Sequence, residues 1–218
     1  MASPTVENYL KAMHSLSNNN GEINLSDLSA HLEVSKPTVN SMVKSLQQNG
    51  WVKYEKYKPI TMTKKGRKTA ALVIRRHRLT EMFLLKEMGF GWDEVHEIAE
   101  EIEHIKAPQF FDRMDYLMDF PKVDPHGSPI PDKDGNVIKY NYKKLSECKV
   151  GNKVKLAALN HSSKAFLEFL DNRKIALNII IEIHSIEPFD GSMIVSYGKH
   201  TEETLSQKVC DKLLVERG

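Results

Sequence analysis

The sequence holds only two cysteines, Cys148 and Cys210, in 218 residues. They lie far apart and form no CxxC, which argues against a zinc knuckle. A disulfide framework is excluded on the same ground, and the expected compartment is a reducing cytoplasm. Long apolar runs are missing as well: none reaches the roughly 18 residues that a membrane helix needs, so no membrane partner is expected. The opening MASPTVENYL has no basic region followed by an apolar stretch and does not read as a secretion signal. Internal repeats and low-complexity tracts are absent. What remains is a chain that is 40% hydrophobic, enough for ordinary cores, and long enough for one large domain or two to three small ones.

The formal net charge of +2 conceals an uneven distribution. Between Lys36 and Lys68 there are nine basic residues and a single acid, Glu55. From Glu81 to Asp119 the balance reverses, with eleven acids against Lys86, Lys106 and Arg113. A basic block beside an acidic one predicts a part that binds a polyanion and a part that holds cations or faces water.

Hydrophobic periodicity places the elements. Residues 6–17 predict a helix with Tyr9, Leu10, Met13 and Leu16 on one face, ended by NNNG. INLSDLSAHLEV predicts a short helix with Ser26 as N-cap. SKPTVNSMVKSLQQNG predicts another, with Ser35 as cap, Pro37 in the first turn, Val39, Met42, Val43 and Leu46 buried, and Gly50 at its end. WVKYEKYKPITMT alternates as two short strands around Lys58-Pro59. Helices then span Lys64 to about Leu85, Asp93 to Ala107, and Pro108 to about Phe120. PKVDPHGSPIPDKDG reads as loop. VGNKVKLAAL, NIIIEIHSIE, GSMIVSYG and the tail read as short strands of a small barrel. The expected division is 1–72, 73–124, a linker at 125–144, and 145–218.

Helix, turn, helix and β-wing is the order of a winged helix-turn-helix. Its second helix enters the major groove with its N-terminal side chains, here Ser35, Lys36, Pro37, Thr38, Asn40, Ser41 and Lys44. Ser and Asn reach either kind of base atom, and Lys suits guanine or phosphate. Lys53, Lys56 and Lys58 on the wing are expected to meet phosphates. The plainer alternative is a solvated helix and hairpin that merely carry lysines.

HEIAEEIEH, residues 96–104, packs two histidines and four glutamates into nine positions. At about 100° per residue, His96, Glu100, Glu103 and His104 share one face, opposite Val95, Ile98, Ala99, Ile102 and Ile105. His77 and Glu81 form a second pair at i and i+4. Two such helices could converge on a divalent cation; taken alone, the stretch reads equally as a solvated face. HExxH is absent, since position 100 is Glu100. Glu101 and His104 fit Glu-x-x-His, but a di-iron bundle needs a second such motif on another helix. No enzyme is expected.

VENYL, SKPTVNSMVKSL, RRHRLTE, VHEIAEEIEH and DPHGSPIP, in that order, resemble the diphtheria-toxin-repressor family, which includes the manganese transport regulators. The resemblance runs along nearly the whole chain. It implies a mainly α protein with small β parts: a winged helix-turn-helix, a helical dimerisation and metal-binding domain, and a C-terminal SH3-like (FeoA-like) small β-barrel. It also implies a homodimer that binds a palindromic double-stranded DNA operator once metal is bound, as a repressor of metal-homeostasis genes. The family's ligand positions fall on His77, Glu81 and His96 for one ion, with His161 and Glu168 near the barrel's contribution. Those for a second ion fall on Asn8, Glu100, Glu103 and His104. Two positions depart from the pattern. Asn8 replaces a methionine or aspartate, and Lys11 stands where the manganese branch has a glutamate, which speaks against a closely spaced binuclear cluster and leaves two separated sites. The iron-responsive branch has cysteine at the position of Glu100. A set of carboxylate, amide and imidazole without thiolate suits Mn²⁺, with Fe²⁺ as the alternative. In this reading metal ties Asn8 to Glu100, Glu103 and His104 and sets the reading heads at half-site spacing. Phe83, Phe110, Phe111 and Leu117 form either the dimer interface or intramolecular core. A winged-helix regulator sensing an organic ligand is the alternative function.

Overall fold

The computed structural model describes residues 2–18, 20–160 and 163–217. By its contacts the chain forms two compact units. One comprises Met1–Thr80, Ala99–Phe120 and Ile130–Ile138; the other comprises Glu81–Ile98, Pro121–Pro129 and Lys139–Gly218. The segment 73–124, expected to stand as a domain of its own, is shared between them. The reason is helix α4 (Lys64–Met88), 25 residues without interruption, whose residues belong to both units.

In the first unit, α1 (Pro4–Leu16) starts earlier than the periodicity suggests, because Ser3 Oγ accepts the Val6 N–H. Strand β1 (Glu22–Ile23) follows. Helix α2 (Leu25–His31) has Asn24 at its N-cap position, with no side-chain cap bond, and Ser26 lies inside its first turn. Helix α3 (Lys36–Gln48) begins where expected. Ser35 Oγ accepts the Thr38 N–H, Pro37 sits in the first turn, and Val39, Val43 and Leu46 are buried. Asn49 caps its end, and Gly50 turns the chain away with φ +72°.

Strands β2 (Val52–Lys53) and β3 (Ile60–Met62) form the wing, paired Val52 with Met62 and Lys53 with Thr61. On the other edge of β3, β1 completes a three-stranded sheet in the order β1-β3-β2. Leu10, Met13, Leu28, Val43, Leu46 and Ile60 close the core beneath.

Helix α5 (Val95–Ile102) is shorter than predicted, and Glu103 and His104 fall in the turn after it. In α6 (Pro108–Leu117), Phe111 is 3% exposed and belongs to the core, whereas Phe110 and Leu117 are 40% and 56% exposed. Tyr116 and Phe120 are exposed with them, and Phe83 is half-buried.

The segment expected as a linker at 125–144 is in large part fastened. Asp124 and Asp132 each open a tight turn, closed by Gly127 N–H on the Asp124 carbonyl and by Gly135 N–H on the Asp132 carbonyl. Within the first unit, Arg75 donates to the Pro131 carbonyl at 2.8 Å and pairs with Asp115 at 2.5 Å, which clamps residues 130–138 to α4. A buried guanidinium has to satisfy its donors somewhere, and the strap supplies an acceptor.

The second unit carries strands β4 (Lys143–Lys144), β5 (Lys153–Leu159), β6 (Ile180–Ile186), β7 (Met193–Tyr197), β8 (His200–Leu205) and β9 (Leu213–Arg217). They form one antiparallel sheet in the order β4-β9-β5-β6-β7-β8. Two helices that the periodicity reading did not separate from the strands, α7 (Lys164–Asn172) and α8 (Gln207–Cys210), belong to it. Phe166, Leu167 and Leu170 of α7 join Leu156, Ile183 and Val195 in its core. The fold is mainly α with small β parts. No helix among the described residues is long and apolar enough to cross a membrane. Because the Ser35 hydroxyl answers an otherwise unpaired helix N–H, Ser35→Ala is expected to cost about 1 kcal/mol. The check is a lower urea midpoint at unchanged slope.

Candidate metal centres and DNA-reading surface

Among the described residues, each unit carries a cluster of titratable side chains. In the second unit, Glu81, Asp124 and His126 each offer a ligand-type atom, all within 4.8 Å of one another. All three are buried, at 2%, 4% and 6% exposure. Glu81 comes from α4, and the other two come from the DPHG turn. That turn is built to present them. Asp124 Oδ1 accepts the N–H groups of His126 and Ser128, which fixes the carboxylate. Gly127 has φ +84°, and a Cβ there would lie 2.3 Å from the Ala157 carbonyl oxygen, so only glycine permits this seat against β5.

His126 Nε2 lies 2.9 Å from the Trp92 carbonyl. A carbonyl can only accept, so Nε2 carries the proton and Nδ1 holds the lone pair of the neutral ring. Tying the far nitrogen of an imidazole to a carbonyl is how metal-binding histidines are oriented. His96 Nδ1 stands 3.2 Å from Glu81 Oε1, although its side chain is 63% exposed. Asp124 and His126 were not singled out as candidates in the sequence. The available signal was an Asp and a His two positions apart in a glycine turn. The thiols are elsewhere: Cys210 is fully buried, and burial with the Asp211 charge pushes it up to about 12. Burial also raises Cys148. Two carboxylates and an imidazole therefore make an oxygen-rich donor set that fits a divalent cation such as Mn²⁺.

The first unit holds the other cluster. Glu103 is 0% exposed, and both its oxygens are engaged. Oε1 accepts from Lys11 Nζ at 2.7 Å; Oε2 accepts from Lys11 at 2.8 Å and from His77 Nδ1 at 2.6 Å. The same ammonium reaches Glu100 Oε1 at 2.6 Å. His104 Nδ1 donates to Glu7 Oε2 at 2.7 Å, and Arg76 pairs with Glu7 Oε1 at 2.9 Å. Burial alone pushes the Glu103 carboxyl up. The His77 hydrogen bond, with the charge and hydrogen bonds of Lys11, outweighs it and holds the group below the ordinary carboxylate value.

So Glu100, Glu103 and His104 are brought together as expected, with His77 added. Asn8 is not among them. It is exposed on α1, and the helix turns Glu7 and Lys11, one turn apart, toward the cluster instead. A divalent ion fits here poorly. It would have to share carboxylate oxygens with an ammonium, and two unit charges 4 Å apart repel by about 4 kcal/mol at an effective dielectric of 20. Doubling one charge doubles that. Of the barrel residues named beforehand, Glu168 is exposed on α7, and His161 lies outside the described residues.

On the DNA-reading side, Ser35, Lys36, Pro37, Thr38, Ser41 and Lys44 are exposed along α3. Asn40 is half-buried and accepts from the Tyr54 hydroxyl at 3.1 Å. Lys53, Lys56 and Lys58 are exposed on the wing. Lys56 lies over the Tyr57 ring, itself 91% exposed, and Lys58 pairs with Glu55.

A winged helix that exposes a basic reading helix, a helical segment rich in carboxylates and imidazoles, and a small β domain together define a DNA-binding regulator of the metal-responsive kind. Comparison with known proteins gives the family. A profile described as the N-terminal DNA-binding domain of iron-dependent repressors matches residues 1–60. The metal binding and dimerisation domain of the same repressors matches 63–132, and a FeoA domain matches 143–217. The chain belongs to the diphtheria-toxin-repressor (DtxR/MntR) family. It is 32% identical over 127 residues to the iron-dependent repressor IdeR of Mycobacterium leprae, covering 58% of this chain and 55% of that one. It is 31% identical over 125 residues to the regulator MntR of Lysinibacillus sphaericus, covering 57% and 89%. Among solved structures, a manganese-dependent transcriptional repressor in complex with manganese superposes with a TM-score of 0.88 at 28% identity, covering 97% of this chain and 99% of that one. ScaR with bound Zn²⁺ gives 0.80 at 29%, with the same coverage.

The sign of the Glu103 effect gives a test. Its folded value is lowered, so its stabilising share is present above the ordinary value of 4.5 and is lost as pH falls through the folded one. Glu103→Gln is expected to cost about 1.5–3 kcal/mol at pH 7. Urea midpoints of the two proteins should converge on acidification; a gap unchanged down to pH 3 would mean that the charge is not its source.

Proposed function

We propose that this protein is a metal-activated, DNA-binding transcriptional regulator, acting as a repressor, that takes Mn²⁺ at Glu81, Asp124 and His126, with His96 alongside. The observation that supports this reading best is the orientation of His126. Its Nε2 proton is committed to the Trp92 carbonyl, and its ring lies beside two buried carboxylates. A bound divalent ion would add positive charge beside these two buried carboxylates. Fe²⁺ is the alternative, since the donor set is shared and both manganese and iron regulators are among the relatives.

The chain's own residues do the rest. Asp124 and His126 are positioned by their turn, while Glu81 stands on α4, the helix separated from the last strand of the wing by Thr63 alone. Ser35, Lys36, Thr38 and Ser41 present donors and acceptors to base edges, and Lys53, Lys56 and Lys58 meet phosphates. The exposed Phe110, Tyr116, Leu117 and Phe120 support a homodimer, which a palindromic operator requires. No catalytic role is assigned to any residue, and genes of metal homeostasis are the proposed targets.

The test is fluorescence anisotropy with a duplex selected from a random-sequence pool in MnCl₂. Affinity should fall about 100-fold when Mn²⁺ is replaced by chelator, the size of a typical two-site coupling. His126→Ala should lose that response and keep its fold by circular dichroism. Equal binding with and without Mn²⁺ would remove the metal switch. Lys56→Ala should weaken binding to every duplex alike and flatten the salt slope by about one; a changed base preference would contradict its phosphate role.

A further inference from the structure

The second cluster invites a question that the metal reading does not answer: what holds three carboxylates and two imidazoles together at the junction of α1 with the end of α5. Glu7, Glu100 and Glu103 supply the negative charge there, and Lys11 and Arg76 supply positive charge. We infer that Lys11 is a resident cation, and that its ammonium holds Glu100 and Glu103 in the place a divalent ion would otherwise take, so that this cluster binds no metal. The geometry is specific. Lys11 Nζ makes three short contacts, at 2.6, 2.7 and 2.8 Å, to carboxylate oxygens of two residues. Three is the number of hydrogens that an ammonium has to donate.

The ammonium is also the right group to be sealed in. The Lys11 side chain is 19% exposed and the Glu103 side chain 0%. A carboxylate so placed needs a paired charge and satisfied lone pairs. Lys11 and His77 between them meet both oxygens. Placement follows from the helix: Glu7 and Lys11 are one turn apart on α1, so the side that buries Leu10 also carries both charged groups to α5. The consequence is a permanent tie between the first helix of the DNA-reading unit and Glu103, formed on folding and independent of metal supply. This inference concerns only the first-unit cluster. It rests on the proposed function solely in assigning metal response to Glu81, Asp124 and His126.

Titration of the full chain with MnCl₂, followed by Mn²⁺ electron paramagnetic resonance and isothermal calorimetry, tests it by differences in stoichiometry. Lys11→Met, which removes the charge and keeps the length, is expected to bind one more ion per chain than the wild type. Lys11→Arg, which keeps the charge, should match the wild type, and so should Glu103→Gln. A failure of the Glu81 cluster to bind would lower every count by one and leave these differences standing, so the two readings fail separately. The inference is overturned if Glu103→Gln loses an ion relative to the wild type, or if folded Lys11→Met gains none. Should Lys11→Met not fold, the comparison of wild type with Glu103→Gln decides alone.

Discussion

Glu103 has no exposed surface, and a carboxylate in that position persists only where fixed positive charge and donors replace the water it has lost. The arrangement around it brings three elements together to meet that demand. Lys11 arrives from α1, His77 from α4, and Glu103 itself from the turn after α5. Each of these elements is held in place by its own apolar face, Leu10 and Met13 on α1, Ala70 and Val73 on α4, Ala99 on α5. The charged junction therefore adds no bulk stability that better packing could not supply. What it adds is a polar tie among the three elements, since Lys11 and His77 together meet both oxygens of Glu103. Arg75 with Asp115 and Pro131 repeats the device on the same helix, fixing the strap at 130–138.

The DPHG turn solves a different problem, and its backbone contacts are central to it. Its carboxylate is oriented by two amide N–H groups, and its imidazole by a carbonyl oxygen. Backbone groups thus fix one carboxylate oxygen and one ring nitrogen. In the proposed metal reading, groups aimed this way before a ligand arrives leave less ordering entropy to oppose binding. The glycine at 127 is the condition for it, since a side chain there would collide with the backbone of β5.

Much of this was readable from local sequence, and the misses share a cause. Helix α3 announced itself through Ser35, Pro37 and a buried stripe, all signals carried within a few residues of where they act. Strand β1 is two residues long and has no periodicity to detect; it exists only because β3 offers it an edge. Helix α7 carried a readable apolar stripe at Phe166, Leu167 and Leu170, but short strands on either side set the period against it. The clustering of Glu100, Glu103 and His104 was legible as a helix face. Lys11 was legible only as a departure from a pattern, because its partners lie 89 and 92 positions away. Asp124 and His126 sat in plain view inside a loop, and nothing local says that the loop folds back onto Glu81. Asn8 lies on the exposed side of α1 for a related reason: resemblance fixes a position along a helix, whereas burial fixes which neighbour of that position faces inward.

The two clusters differ in a way that matters for any switch. A sensor must contain a group whose occupancy follows the concentration of something outside the protein, and the ligand must bind one state better than another. An ammonium joined to the backbone by its own side chain cannot dissociate, so its occupancy is fixed by folding and reports nothing about supply. Lys11 can set the geometry of the DNA-reading unit but cannot inform it. A centre whose cation comes from solution can do so, because the free energy of filling it varies with the logarithm of that ion's concentration. In the proposed reading, a tethered charge in place of one exchangeable ion separates two tasks that a pair of metal sites would share: one cluster would hold shape, and the response to metal would fall to Glu81, Asp124 and His126.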